Sequence, residues 1–423
     1  MLSYYDKLFA DYYKCPREEK KKYADRIGEL GERLLSDASP EYALNKAARD
    51  REVIVSLTSI PERLECVVFP IQCMLVQTER PDRIILWLNE ECAEYDLPRR
   101  LSDLLKFGLE IEYIKDIGPH KKYFYAMQHY PEALVITIDD DTYYKRTFIE
   151  ELLHTYEENP EYICAFWTKK MRFTDSGIPY PYAEFEQGKG QSDFEPSHNL
   201  LAIGSGGILY PPHCMNKQVF DLELIRKLAL KGDDIWLKAM EVLEGTKVAR
   251  VKGWYEINPV VRGSQEIALY HENYKANDKI LKDVFQYFNL MEFFKNEKNW
   301  KYSPFHVLER WIKLYQRKIL VKDYLEKKNI SSVAIYGLGG IGTLLLQDLR
   351  QSDVNVLYGI DRRARELRED IPIVTLEDSW KTVDMIIVAA SVDYEELKNQ
   401  IERHTDCKVM LLDDIIMELS WND

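Results

Sequence analysis

The sequence predicts an α/β protein with two separate, mainly parallel sheets and helices before and between them. Three observations predict it. Strand-length apolar runs alternate with helix-length stretches from Val53 to Ile138, and the same alternation restarts at Ser332. The length, 423 residues, suits two to three domains, and 46% hydrophobic residues can fill their cores. The organisation expected is a helical extension over 1–50, a first α/β domain over 51–295, a helical linker over 296–330 and a second α/β domain over 331–423.

Each element has its own reason. Leu2, Tyr5, Leu8, Phe9, Tyr12 and Tyr13 recur at roughly helical spacing, a stripe that packs on a domain or rests on a membrane surface. Val53–Leu57 is a short apolar strand, followed by a turn at Thr58–Arg63 and a helical stretch to about Val76. Arg83–Leu88 and the alternating Leu109–Ile114 are the second and third strands. Tyr123–Tyr130 reads as a helix and Leu134–Ile138 as the fourth strand. The stretch Thr168–His198, rich in Gly, Pro and aromatics, is too long for a simple connection and reads as a functional loop or lid. The run Gly204–Pro212 follows, and Lys231-Gly232-Asp233-Asp234 opens a helix. In the second domain, Val333–Tyr336, Val354–Ile360, Met385–Ala390 and Lys408–Leu412 are strands, with helices to about Gln351 and over Tyr394–His404.

The strongest chemical signal is Asp139-Asp140-Asp141, directly after the run Ala133–Ile138. Adjacent carboxylates at the end of a buried strand repel one another and resist burial. A hard divalent cation, Mg²⁺ or Mn²⁺, relieves both problems and leaves positions open for phosphate oxygens. The plain alternative is an acidic turn that caps the next helix. In a parallel sheet, ligands bind outside the carboxyl ends of the strands, where this triplet lies.

Taken together, Val55–Arg63, Gln77–Asp82, Gly118-Pro119-His120-Lys121-Lys122, Asp139–Asp141 and Asp233-Asp234 resemble the GT-A glycosyltransferases. The nearest resemblance is to family-2-like bacterial enzymes of capsule and surface polysaccharide synthesis, over roughly residues 51–290. The resemblance implies a metal-dependent, hexosyltransferase-type enzyme that moves a sugar from a nucleotide-sugar donor, a UDP-sugar, to a glycan or lipid-linked acceptor. It implies metal ligation by Asp139 and Asp141, with His271 as a third ligand and Asp140 acting through ribose or water. Thr58, Ser59, Arg63, Lys121, Lys122 and Gly206 would serve the donor. Asp234, or its neighbour Asp233, would be the base of an inverting displacement, although Asp233 also reads as a helix N-cap. Trp167, Tyr180 and Tyr182 are candidates to stack on acceptor sugars.

In the second domain, Gly337, Gly339 and Gly342 match G-x-G-x-x-G between a strand and a helix, and Asp361 ends the next strand. That pattern resembles a small Rossmann-like domain with room for NAD(P) or another nucleotide. The reading preferred from sequence is a nucleotide-free remnant used for packing. Tyr394 and Lys398 match the short-chain dehydrogenase pair but open a charged helix. An NAD-linked nucleotide-sugar oxidoreductase or epimerase-like activity, or nucleotide sensing, is therefore the alternative function. A nucleotidyltransferase is less suited, because Thr58–Arg63 lacks a glycine-rich phosphate loop.

Composition narrows the partners. A net charge of −14 disfavours nucleic acid. Seven cysteines with no CxxC read as reduced thiols of a cytoplasmic protein. No apolar run spans a membrane; a peripheral contact with its inner face and a homo-oligomer both stay compatible with the sequence.

Overall fold

The computed structural model describes residues 2–187, 195–252, 257–264, 270–295, 303–390 and 394–422. The chain forms two compact units, Met1–Arg172 with Pro181–Leu290, and Phe173–Tyr180 with Met291–Asp423.

The first unit is built on a seven-stranded sheet. Its strands are β1 (Val53–Thr58), β2 (Arg83–Asn89), β3 (Leu109–Ile114), β4 (Leu134–Thr137), β5 (Ile163–Ala165), β9 (Ile208–Tyr210) and β10 (Val248–Arg250), in the order β10-β5-β9-β4-β1-β2-β3. β9 runs antiparallel to β4 and β5, and the other pairings are parallel. Both faces of β1 are buried, as expected in the middle of a parallel sheet. Val53, Val55 and Leu57 face a large core that also holds Tyr5, Ile27, Met74 and Leu152. Ile54 faces a smaller one with Ile85, Trp87, Ala126 and Val135. The aromatic stripe of helix Leu2–Lys14 is part of the large core, with Tyr5 fully buried and its hydroxyl donating to the Tyr144 carbonyl at 2.9 Å.

A three-stranded antiparallel sheet, β7-β6-β8, joins β6 (Thr168–Lys170), β7 (Glu186–Gln187) and β8 (Leu200–Ala202). The stretch expected to be a loop thus carries strands. Likewise, the run Gly204–Pro212 holds a single tight turn, Gly204–Gly206, and then the reversed strand β9.

In the second unit, β11 (Ser332–Tyr336), β12 (Asn355–Ile360), β13 (Ile373–Val374), β14 (Met385–Val388) and β15 (Lys408–Leu411) form an all-parallel sheet, β13-β12-β11-β14-β15. Helices Pro304–Gln316 and Val321–Lys327, expected as a linker, contribute Val307, Trp311, Val321 and Leu325 to this unit's core. So does a terminal helix, Leu412–Asn422. The octapeptide Phe173–Tyr180 packs here as well. The Phe173 ring stacks on Phe294 at 4.1 Å between centroids, and Ile178 and Tyr180 pack against Met417.

Among the described residues no helix is long and apolar enough to cross a membrane. All seven cysteines are free thiols.

Candidate active site

The site forms where the strand order of the first sheet reverses. From β1 the chain builds outward through β2 and β3 on one side, while β4 lies on the other. Side chains following the carboxyl ends of β1 and β4 meet across this switch point, the usual crevice for ligands of such sheets. Ser59, just past β1, donates through Oγ to Asp140 Oδ2 at 2.5 Å. Arg63, in the single turn Pro61–Arg63, donates to Asp140 Oδ1 at 2.9 Å and lies 3.4 Å from Asp141 Oδ2. Its other amino group reaches the Ser264 carbonyl at 3.2 Å. Tyr144 Oη accepts the Asp139 amide at 3.0 Å, holding the triplet's backbone beneath the helix that carries Tyr5.

A second pair of carboxylates comes from the helix Asp233–Glu244. Asp233 is its first helical residue and does not cap it; Gly232 occupies the cap position without a side-chain bond. The two acidic groups are joined by one ammonium. Lys122 Nζ donates to Asp139 Oδ1 at 3.0 Å and lies 3.0 Å from Asp233 Oδ2. Burial alone would discharge Lys122, but Asp139, Asp233 and Asp234 outweigh it and raise its pKa. Its backbone carbonyl accepts from Ser56 on β1, whose hydroxyl in turn accepts Trp87 Nε1 at 2.8 Å, so the lysine stands on the sheet itself. His120 is fully buried and fixes the approach to this helix, with Nε2 2.8 Å from the Ala229 carbonyl and Nδ1 2.8 Å from the Tyr123 hydroxyl.

The electrostatics separate the two helix carboxylates. Burial pushes Asp233 up, but Lys122 and His120 pull harder, and its pKa falls below the ordinary carboxylate value. Asp234 moves the other way: burial and the neighbouring Asp233 charge hold it above the ordinary range. Its Oδ1 accepts the Gly204 amide at 3.1 Å. Burial, then Asp139 and Asp140, push Asp141 up to about 6. Five carboxylates therefore crowd around the cations of Arg63 and Lys122, and the site carries an excess of negative charge.

That excess fits a divalent cation. Among the described residues no three His, Cys, Asp or Glu side chains converge as a ready-made cage. Mg²⁺-type sites built around a diphosphate need only one or two carboxylates; Asp139 and Asp141 are the two the sequence offers for that role. His271 lies in the helix Tyr270–Tyr287, but its side chain falls outside the described residues.

Several expected donor residues are placed elsewhere. Thr58 Oγ1 donates to the Trp87 carbonyl at 2.8 Å, within the sheet. Lys121 binds Asp116 at 2.7 Å and Asn89, apart from Lys122. A Cβ on Gly206 would meet the Trp167 backbone nitrogen at 2.8 Å, so that glycine serves packing. Gly204 is the glycine at the site: a Cβ there would lie 2.8 Å from Lys122 Nζ and 3.1 Å from Asp234 Oδ1. Tyr180 belongs to the second unit, where its hydroxyl donates to Asp413 and Asp414. Tyr182 lies under the Lys169 ammonium, 3.8 Å from the ring centroid. Lys169 is 5% exposed and lowered to about 8 by burial, against the pull of Asp234. No spacing in the sequence marks Lys169 as part of the site.

In the second unit, Lys398 Nζ donates to Asp175 at 3.0 Å and the Tyr394 hydroxyl to the Val409 carbonyl at 3.3 Å, so the dehydrogenase-like pair is engaged in packing.

No protein-family model matches the sequence, and no curated protein matches it significantly. Among solved structures, residues 1–349 of S. aureus TarS align over 61% of this chain and 79% of that one, at 12% identity and a TM-score of 0.33. The inositol-1-phosphate CTP transferase of T. maritima aligns over 56% and 96%, at 10% identity and a TM-score of 0.31. Likenesses this low say nothing of the chemistry.

Proposed function

We propose that the first unit is a metal-dependent glycosyltransferase of GT-A type that uses a nucleotide-sugar donor. The observation that carries this reading is the Lys122 bridge. It makes one site of a strand-end carboxylate suited to a diphosphate-bound cation and a helix-start pair suited to proton transfer. A UDP-sugar donor, hexosyl transfer and a glycan or lipid-linked acceptor in surface polysaccharide synthesis follow from the sequence resemblance.

Asp139 and Asp141 would hold Mg²⁺ or Mn²⁺, which when bound neutralises the nucleoside diphosphate leaving group. Arg63 and Ser59 hold Asp140 and so fix the triplet's shape. Asp234 is the base. Burial and the Asp233 charge push it up to about 8, so it acts in its ionised form, as a stronger base than an ordinary carboxylate, and the Gly204 amide orients it. Asp234 accepts the proton of the acceptor hydroxyl as that oxygen bonds to the anomeric carbon. The bond from that carbon to the diphosphate breaks, its electron pair leaves with the nucleoside diphosphate, and configuration inverts. Lys122 keeps Asp233 ionised beside it.

The test is a screen of nucleotide sugars for thermal stabilisation and slow hydrolysis, each with Mn²⁺ and with EDTA. One nucleoside diphosphate should stabilise the protein only with metal, and its sugar donor should be slowly hydrolysed. Asp141→Ala should remove both effects while the circular dichroism spectrum stays native. Full transfer activity in Asp141→Ala would overturn the reading.

A further inference from the structure

We infer that a second copy of this chain docks on the exposed face of the helix Pro304–Gln316, the two helices lying antiparallel. The pairing involves the second unit alone and is independent of the transfer reaction.

This helix is apolar on two faces. Val307, Trp311 and Leu314 belong to the core of the second unit, and the Arg310 guanidinium on the same side binds Asp413. An ordinary surface helix has one such face and is polar on the opposite one. Here the other face carries Phe305, Leu308, Ile312 and Tyr315. Phe305 is 71% exposed, Ile312 56% and Tyr315 64%, with Leu308 half-buried among them. Single apolar residues scattered on a surface mean little, but a contiguous row of them marks an interaction site.

The spacing says what kind of surface covers the row. The four residues recur at intervals of three, four and three, the pattern of a seam between helices. At about 100° per residue they fall within about 80° of one another. A helix lying on a lipid surface needs a broad apolar face with cations along its edges. This row is narrow, and its edge carries Glu309, which accepts from Lys313 Nζ at 2.7 Å.

That edge selects the occupant. About a two-fold axis near Arg310, Phe305 meets the partner's Tyr315, and Leu308 meets the partner's Ile312. The flanks that carry Glu309 and Lys313 then face each other, and Glu309 lies within about 3 Å, along the axis, of the partner's Lys313. One exposed ion pair on each helix becomes two across the seam. A parallel pair would set this flank against the one with Pro304 and Trp311, which bears no charge. The row and its edge are thus complementary to themselves, as a two-fold contact requires. The area also suffices. Phe305, Ile312 and Tyr315 with the stems of Glu309 and Lys313 expose roughly 500 Å² per copy, so a pair buries about 1,000 Å², the lower bound of a specific interface. Contacts of that size make weak dimers, with a dissociation constant of roughly 10 μM or above.

Pro304 shares a cavity wall with Gly337, Gly339 and Asp361, so the variants that read affinity lie farther along the helix. Sedimentation velocity of the full chain over roughly 1–300 μM should show the average mass rise from that of one chain toward that of two. Ile312→Gln/Tyr315→Gln changes two exposed side chains and introduces a good helix former. The melting temperature should hold while dimer affinity falls at least about tenfold. Lys313→Glu should weaken the dimer and Glu309→Lys/Lys313→Glu should restore it, which covers the case of a poorly folded glutamine variant. In an oxidised equimolar mixture of Phe305→Cys and Tyr315→Cys, a disulfide between positions 305 and 315 should form that neither variant forms alone. A chain that stays monomeric at the highest concentration, a dimer indifferent to Ile312→Gln/Tyr315→Gln, or a cross-link at either position in one variant alone would each overturn the inference. So would flotation of a monomeric chain with phosphatidylglycerol vesicles that the glutamine variant loses, which would assign the row to a lipid surface.

Discussion

Lys122 is the residue on which the candidate site depends. Its Nζ sits 3.0 Å from Asp139 and 3.0 Å from Asp233, and its side chain is 10% exposed. Replacing it by methionine would keep much of the shape but leave two carboxylates facing each other without the cation between them. Removing one partner of a buried ion pair costs about 3–5 kcal/mol. Lys122→Met should therefore lower the first transition in denaturant melts by that order, and an unchanged midpoint would mean the bridge is not formed. The sequence pointed to the lysines without separating them. Lys121 and Lys122 are consecutive on the helix Lys121–His129, so their side chains project about 100° apart. Only the helix's seating on β1, through Ser56, decides that Lys122 faces the acids and Lys121 faces Asp116. The glycines show the same limit. Gly204 and Gly206 lie in one tight turn, and which of them meets Asp234 depends on how that turn is aimed. Asp139–Asp141 were legible because carboxylates after an apolar run conflict with burial whatever surrounds them.

At the scale of elements, long strands with strong periodicity could be read and short ones could not. β1 to β4 and the four longer strands of the second sheet fall where the apolar runs lie. β5, β9 and β10 have three residues each, too few for alternation to register. The helix Leu412–Asn422 was hidden differently: two acids inside an apolar run look like a strand end followed by a turn. In the fold, Asp413 and Asp414 are both buried, Asp413 pairs with Arg310, and Tyr180 donates to both. Burial, then the charges of Asp175 and Asp413, raise the Asp414 pKa far above its ordinary value. The folded chain thus holds a proton on Asp414 at pH values where the unfolded chain has released it. This contribution to stability is full below the unfolded carboxylate pKa near 4 and is lost as pH rises from there. Asp414→Asn keeps an acceptor for Tyr180 without a titrating charge. Its stability should therefore exceed that of the wild type by about 1 kcal/mol or more at pH 8. The advantage should shrink toward pH 4, read from urea midpoints at each pH. An identical pH profile in both proteins would show that Asp414 does not govern the helix.

At the scale of the whole molecule, the chain's division is not a single cut. The second unit is made of two stretches, and the shorter, Phe173–Tyr180, is an excursion from the middle of the first. Its contacts within the second unit are specific. Phe173 stacks on Phe294, Gly177 (φ +80°) approaches the Met291 carbonyl so closely that a Cβ would lie 1.9 Å from its oxygen, and Lys398 holds Asp175. No sequence pattern marks this excursion, because eight residues carry no periodicity and every partner lies more than a hundred residues downstream. It does have a consequence for dissection. A chain ending at Leu290 retains the first sheet and all five carboxylates of the candidate site, yet deprives Phe173–Tyr180 of every one of these partners. Exposed peptide without packing is where proteases cut. Limited proteolysis should therefore cleave residues 1–290 within 173–180 at enzyme concentrations that leave the same peptide bonds intact in the full chain. Equal resistance of the octapeptide in both proteins would mean that the first unit holds it unaided, and the boundary between the units would then fall at Leu290 alone.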